Sequence, residues 1–264
     1  MKMVSIANAK GGVGKTTTAV NMAAGLASMG KRVLVLDLDC QANTTWAFLG
    51  DESSRDISDV LLEGININDA IVPLSENLSI IPAHLRLSLA DTALAAEPGR
   101  DTALAAAIED LDRNRYDFII ADLPPNAGVM VLNGLAASDY VIIPIQMEFY
   151  SMKSVEIIID LITLTKKRLN RRLVLLGALA TMYDKRNNIC VSCLDEMKKY
   201  FNSMAFETVI RSNVSLAEAP AINKNIFQHS PKSYGAEDYL AFCEEFLRRE
   251  EAARNVVKGS DKSV

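Results

Sequence analysis

Two histidines, four cysteines and one tryptophan in 264 residues leave little material for several kinds of chemistry. His84 and His229 alone exclude a histidine-rich metal centre. Four cysteines are too few for a disulfide scaffold and fit a reducing compartment. Positive charge is not in surplus: 28 Lys and Arg face 33 Asp and Glu, a net −5. That balance excludes a uniformly basic, histone-like nucleic-acid binder but leaves room for a local basic patch. Long hydrophobic runs are also missing. No uncharged apolar stretch reaches the roughly 20 residues of a membrane-spanning helix. Residues 1–6 run straight into a glycine-rich turn, without the apolar core of a signal peptide. A soluble, intracellular protein is expected. With 49% hydrophobic residues the chain has ample material for a core, and its length fits one large domain or two small ones.

What is present is an alternation of short apolar runs with longer helical patterns, the sign of βαβ units. Strands are expected at Met3–Ala7, Val33–Asp37, Phe118–Ala121, Tyr140–Ile145, Leu173–Met182 and Phe206–Ile210. Helical spacing marks Thr16–Ser28, Leu85–Ala96, Asp101–Leu111, Ser154–Leu169, Ile189–Tyr200 and Gly235–Arg249. The fold class is therefore α/β: a single doubly wound, mostly parallel sheet flanked by helices. One domain is expected over residues 1–251, with residues 252–264 a loose polar tail.

The strongest local signal is Lys10-Gly11-Gly12-Val13-Gly14-Lys15-Thr16-Thr17, placed between the first strand and the first helix. Small residues let successive backbone N–H groups turn inward around phosphate oxygens, and the helix adds its positive N-terminal end. In such a loop Lys15 reaches the β- and γ-phosphates and the Thr16 hydroxyl ligates Mg²⁺. The strict G-x-x-x-x-G-K-[ST] pattern fails at one place: position 9 is Ala, and a second lysine, Lys10, sits inside the loop. Two further apolar strands run into carboxylates, at Asp37-Leu38-Asp39 and at Asp122, where α/β sheets bind their ligands.

The Lys10–Thr16 run is a deviant Walker A motif, and here the sequence resembles the ParA/Soj partition ATPases, relatives of MinD. The resemblance continues through Asp37-Leu38-Asp39-Cys40-Gln41-Ala42-Asn43, Asp122-Leu123-Pro124-Pro125, Ile143-Pro144-Ile145-Gln146 and Asn213-Val214-Ser215-Leu216-Ala217-Glu218-Ala219-Pro220. It covers residues 3 to about 249 in order. Many members carry an N-terminal helix-turn-helix; this chain starts on the first strand and looks like the short chromosomal type. The resemblance implies a weak Mg²⁺-dependent, partner-stimulated ATPase that forms an ATP-sandwich homodimer. Lys10 matches the signature lysine that crosses to the other protomer's phosphates, and Asp39 the residue needed for hydrolysis. Asp37 is expected to support the metal shell, and Asp122 to act as the Walker B carboxylate. For the base, Met182 and Asn213 match family contacts. The guanine signature N-K-x-D is absent, since Asn223-Lys224-Asn225-Ile226 lacks the Asp, which favours adenine.

The resemblance also implies non-specific DNA binding by the ATP dimer, a ParB-type or other cargo-adaptor partner, and a cytoplasmic, nucleoid-associated location. Segment 165–200 holds nine basic residues against three acidic ones, a net +6 that leaves −11 elsewhere. Within it, Arg186 matches an arginine that the family uses on DNA, with Lys185 beside it. A dimer is expected to bring two such patches together. The family's basic positions at 212 and 215 are Ser212 and Ser215 here, and each lost phosphate contact flattens the salt dependence of binding by about 0.9 in log–log slope.

Rival readings meet contrary features. A MinD-like membrane ATPase needs a terminal amphipathic helix, and residues 252–264 offer only Val256, Val257 and Val264 as large apolars, so stable membrane binding is not expected. An iron–sulfur reductase of the nitrogenase type needs cysteines between residues 41 and 189, where there are none. A scaffold that binds ATP without turnover is disfavoured by Lys10 and Asp39. Cargo other than DNA (an organelle, carboxysome or chemoreceptor cluster) is left open. Cys190-Val191-Ser192-Cys193 is a lone C-x-x-C, two ligands short of a zinc site. Trp46 and the Phe149–Tyr150 pair are expected as core or interface aromatics.

Overall fold

Runs of five apolar or small residues, buried on both faces, form the centre of the sheet, as expected for strands covered by helices on either side. The computed structural model describes residues 1–50, 55–94, 97–112, 114–149 and 151–260. Its strands are β1 (Lys2–Ile6), β2 (Val33–Asp37), β3 (Val72–Ser75), β4 (Leu78–Ile81), β5 (Phe118–Asp122), β6 (Tyr140–Gln146), β7 (Val174–Tyr183) and β8 (Ala205–Arg211). The helices are α1 (Lys15–Ser28), α2 (Asn43–Leu49), α3 (Ile57–Glu63), α4 (Ala90–Ala93), α5 (Ala103–Glu109), α6 (Val129–Ala137), α7 (Ser151–Arg168), α8 (Asn188–Phe201), α9 (Val214–Glu218), α10 (Ile226–His229) and α11 (Tyr234–Ser260).

The sheet order is β3-β4-β2-β5-β1-β6-β7-β8, parallel throughout except for the antiparallel β3–β4 pair at one edge. Alternate residues feed two cores, as the period of a strand requires. Leu34, Leu36, Ile119 and Ala121 pack on one face with residues of α3, α5, α6, α7 and α8. Val33, Val35, Phe118 and Ile120 pack on the other with α1, α10 and α11. There the rings of Phe118 and Phe246 meet edge-on with centroids 5.3 Å apart, and those of Phe206 and Phe242 at 5.0 Å. Close packing also fixes Gly177 in β7, where a Cβ would fall 2.4 Å from the Met204 carbonyl oxygen.

Six strands appear within a residue or two of their expected bounds, and β3 and β4 are additions. The helix expected over 85–96 is instead a 3-10 turn, Leu85–Leu89, followed by α4, and residues 95 and 96 lie outside the described residues. The closing helix does not stop near 249. It runs to Ser260, so residues 252–260 of the expected loose tail are helical, and 261–264 lie outside the described residues. Trp46 and Phe149 are exposed, which removes them from the core, and Tyr150 lies outside the described residues. Among the described residues no helix is long and apolar enough to cross a membrane.

β1 sits where the chain reverses its direction of travel across the sheet, with β5, β2, β4 and β3 on one side and β6, β7 and β8 on the other. In open α/β sheets that switch point, outside the carboxyl ends of the strands, is where ligands bind.

Candidate nucleotide site

The loop leaving β1 is held from below by side chains rather than by its own glycines. Asn8, buried, donates from Nδ2 to the Pro144 carbonyl oxygen at 2.7 Å and accepts from the Lys10 N–H at 3.0 Å, tying the loop to β6. Thr181 Oγ1, from β7, donates to the Val13 carbonyl oxygen at 2.8 Å. Gly12 (φ 75°) and Gly14 (φ 89°) take left-handed conformations that L side chains rarely adopt. Beyond Gly11 and Gly12 lies open space: a Cβ added to either meets nothing within 4 Å. The loop thus presents Gly11 and Gly12 to open space and hands over to the N-terminus of α1, a 14-residue helix.

Lys15, the first residue of α1, is buried, and its Nζ donates to the Lys10 carbonyl oxygen at 3.0 Å. Burial lowers its pKa, against the opposing pull of Asp122 and Asp39. Thr16 Oγ1 donates to Asp122 Oδ2 at 2.7 Å, and Thr44 Oγ1 donates to the same oxygen at 2.8 Å. Asp122 Oδ1, equally buried, has no hydrogen-bond partner. A buried carboxylate oxygen left without a partner is costly. With the hydroxyls of Thr16 and Thr44 it makes a set of oxygen ligands suited to a hard cation such as magnesium, while the Lys15 ammonium adds positive charge for phosphate.

Sheet register brings the acidic residues together: Asp37 of β2 is opposite Asp122 of β5, which is opposite Ile6 of β1. Asp37 Oδ2 accepts from the Thr45 N–H and hydroxyl, both at 2.8 Å, and Oδ1 accepts from the Asp39 N–H at 3.1 Å. Asp39 Oδ1 accepts from the Gln41 N–H at 3.0 Å. Burial, then the charge of Asp122, pushes the Asp37 carboxyl up to about 7. Burial pushes Asp122 up to about 6, against the two threonine hydroxyls and Lys15. The site carries more buried negative charge than its own residues offset, so a bound cation relieves it.

Beside the loop, a cavity of about 350 Å³ opens between the ends of β7 and β8, lined by Gly14, Thr17, Met182, Arg211 and Asn213 among others. Met182 adopts φ 53°, and Asn213 caps α9 by accepting from the Ser215 N–H at 2.8 Å. Arg211 is held by Asp238 and Glu237 and lies over the Tyr234 ring, 4.1 Å from its centroid.

The structure thus gathers Lys10, Gly11, Gly12, Val13, Gly14, Lys15, Thr16, Thr17, Asp37, Asp39 and Asp122 at one end of the sheet, with Met182 and Asn213 on the adjoining cavity. Lys10 is engaged within the chain, in an ion pair with Glu148. Lys185 and Arg186 follow β7, and Arg186 is clasped by Asp184, whose carboxyl that guanidinium pulls down to about 2. The C-x-x-C lies on α8, where the Cys190 thiol donates to the Met147 carbonyl oxygen at 3.1 Å. Sequence reasoning missed Asn8, Thr44, Thr45, Glu148 and Thr181. The Asn43-Thr44-Thr45 run, three residues beyond Asp37-Leu38-Asp39, was the available signal for two of them.

Comparison with known proteins agrees with this geometry. The family model described as "AAA domain" matches residues 1–175. The sporulation initiation inhibitor protein Soj of Bacillus subtilis is 42% identical over 248 residues, 92% of this chain and 97% of that protein. The chain belongs to the ParA/Soj family of partitioning ATPases. A second family member, the chromosome-partitioning ATPase Soj of Thermus thermophilus, is 40% identical over 96% of this chain and 98% of its own length. Among solved structures, cobyrinic acid a,c-diamide synthase from Mycobacterium smegmatis with bound ATP analogue and magnesium superposes with a TM-score of 0.84. It is 32% identical, covering 95% of this chain and 96% of that one. The ParA/Soj assignment accounts for the deviant loop with its extra lysine.

Proposed function

We propose that this ParA/Soj-family chain is a weak Mg²⁺-dependent ATPase that pairs with a second copy of itself across bound ATP, holds DNA non-specifically in that state, and segregates a chromosome or plasmid with a ParB-type partner. The observation that carries the reading is the meeting of Thr16 and Thr44 on one oxygen of Asp122, whose other oxygen is buried without a partner beside Lys15.

In this reading the backbone N–H groups of residues 11–16 and the α1 N-terminus hold the phosphates, and Lys15 neutralises their β/γ end. Thr16 and Asp122 hold magnesium, with Asp37 behind them. The metal those residues would hold would supply positive charge against the phosphates. Lys10 leaves Glu148 and reaches the partner copy's phosphates, acting like an arginine finger. Asp39 orients the water that attacks the γ-phosphorus as the bond to the ADP oxygen breaks. Met182 and Asn213 border adenine in the cavity beside Gly14. Such a protein works in the cytoplasm, on the nucleoid.

The test is Asp39→Ala with ATP and magnesium, followed by light scattering and phosphate release. The expected result is a stable dimer with turnover at background. A variant that remains monomeric at saturating ATP, or that hydrolyses like the parent, refutes the assignment.

A further inference from the structure

The net +6 of segment 165–200 does not form one patch. β7, ten residues long, runs through its middle. At about 3.3 Å per residue it carries the chain some 30 Å from one end of the sheet to the other. Lys185 and Arg186 lie after β7, toward the nucleotide end. Lys166, Lys167, Arg168, Arg171 and Arg172 lie before it, at the opposite end. Lys198 and Lys199, in the last turn of α8, return to that same end.

The two groups differ in part: Lys185 is exposed without an ion pair among the described residues, as the far-end cations are, but Arg186 is not. Arg186 is neutralised locally by Asp184. Arg32, Arg55, Arg86, Arg100, Arg211, Arg249 and Arg254 likewise have carboxylate partners. The five cations of 166–172 are all exposed, and none of them has an ion pair among the described residues. The nearest acids in sequence are Asp160, two turns up α7, and Asp184, beyond the other end of β7; Asp139, beside the start of β7, is paired with Lys2, and Asp195 and Glu196 lie within a turn of Lys198 and Lys199 on α8. Lysines in the last turn of a helix are favoured by its dipole, but Arg171 and Arg172 lie beyond α7 and have no such reason to be there.

The turn is also braced by hydrogen bonds. Asn170 Nδ2 donates to the carbonyl oxygens of Ala136 and Ser138 at 3.0 and 2.7 Å, and its Oδ1 accepts from the Arg172 N–H at 3.1 Å. The Leu169 and Asn170 N–H groups both donate to the Thr165 carbonyl oxygen, at 2.8 and 2.9 Å. Five cations on a preorganised turn reach a polyanion without the ordering cost of a mobile loop. Leu169 is the one large apolar side chain among residues 166–172, too little for insertion into a bilayer. Regularly spaced phosphates are the better match.

We propose that the α7–β7 turn, joined by Lys198 and Lys199, is a contact surface for the phosphate backbone of duplex DNA, at the far end of the sheet from the nucleotide. The proposal rests on the DNA-binding reading above and adds a second contact surface to the one at Lys185 and Arg186. In a dimer joined through its nucleotide ends the two turns point outward, so one dimer holds two separate DNA segments instead of merging its patches on one.

The test uses the full chain and a fluorescent 30-base-pair duplex, with anisotropy read across a salt series, with and without Mg-ATP. Wild type is compared with K167Q/R171Q/R172Q, with R171Q and R172Q singly, and with R186Q. Unchanged melting and ATP affinity establish that each variant is folded. The expected result is a loss of about 2.7 in the log–log salt slope for the triple variant and about 0.9 for each single one, R186Q included. If the triple variant matches wild type while R186Q loses binding, the far-end surface is overturned and the DNA-binding reading survives. If wild type binds no duplex in either nucleotide state, both fall. A parallel sedimentation arm uses phosphatidylglycerol vesicles, because an apolar groove of about 420 Å³ rimmed by Lys166 and Lys167 adjoins the turn. Loss of vesicle binding with DNA binding intact overturns the proposal in favour of a lipid surface.

Discussion

Replacing Asp37 with asparagine should change how the stability of the nucleotide-free protein depends on pH more than it changes stability at any one pH. Asp37 is fully buried, and burial together with the neighbouring Asp122 lifts its carboxyl from 3.8 to about 7. The folded chain therefore keeps a proton that the unfolded chain has released. Stability from this group is complete below the ordinary carboxylate pKa and is lost as pH rises through about 7. At 1.36 kcal/mol per unit, the loss between about pH 5 and pH 8 is on the order of 3 kcal/mol, or roughly 10 °C in Tm for a domain this size. Asp122, raised to about 6, adds a smaller loss of the same sign, and the two titrate as a pair. The amide of the Asp37→Asn variant cannot ionise. Its NH₂ does, however, face either the Asp39 N–H or the Thr45 donors, a mismatch costing about 1–3 kcal/mol at every pH. The variant should melt lower at pH 5 and lose much less than wild type on going to pH 8, as read by circular dichroism melts without nucleotide. Parallel pH profiles for the two proteins would refute the reasoning, because they would mean that Asp37 is ionised across the range at no cost.

Two further predictions concern β7, one position under the phosphate loop and one in the packing against Met204 and Phe206. Thr181→Val removes the hydroxyl that holds the Val13 carbonyl and leaves that oxygen buried without a partner, a cost of about 1–3 kcal/mol. ATP affinity measured by calorimetry should fall about tenfold together with Tm, and no change in either would mean that Thr181 does not hold the loop. Gly177→Ala drives a methyl against the Met204 carbonyl and the Phe206 ring, so urea unfolding should show a loss of about 1–3 kcal/mol with the m-value unchanged. A neutral substitution would mean that the β7–β8 connection is looser than described.

The parts of this molecule that were legible in the sequence are those specified locally. The loop from Lys10 to Thr17 announces itself because phosphate binding needs small residues, a lysine and a hydroxyl in tight succession. The central strands announce themselves because burial on both faces demands unbroken apolar runs. β3 and β4 were not legible for the converse reason: each has four residues, and Val72-Pro73-Leu74-Ser75, an edge strand, carries a proline that weakens its strand signal. Thr44 reads as an ordinary helix start until sheet register places it on Asp122, 78 residues away. The Lys10–Glu148 ion pair joins two segments that only the β1–β6 pairing brings close. Charge counting fails in its own way. It sums residues 165–200 into one patch and cannot see that a ten-residue strand sends the two halves to opposite ends of the sheet.

The central claim is that Lys15, Thr16 and Asp122 form an ATP–magnesium site. Calorimetric titration of ATP into wild type and Lys15→Ala, each with and without magnesium, tests it most directly. Magnesium-enhanced binding is predicted for wild type and, for a Lys15→Ala protein that melts normally, no measurable binding under either condition. Binding by Lys15→Ala with wild-type affinity and the same magnesium dependence would contradict it.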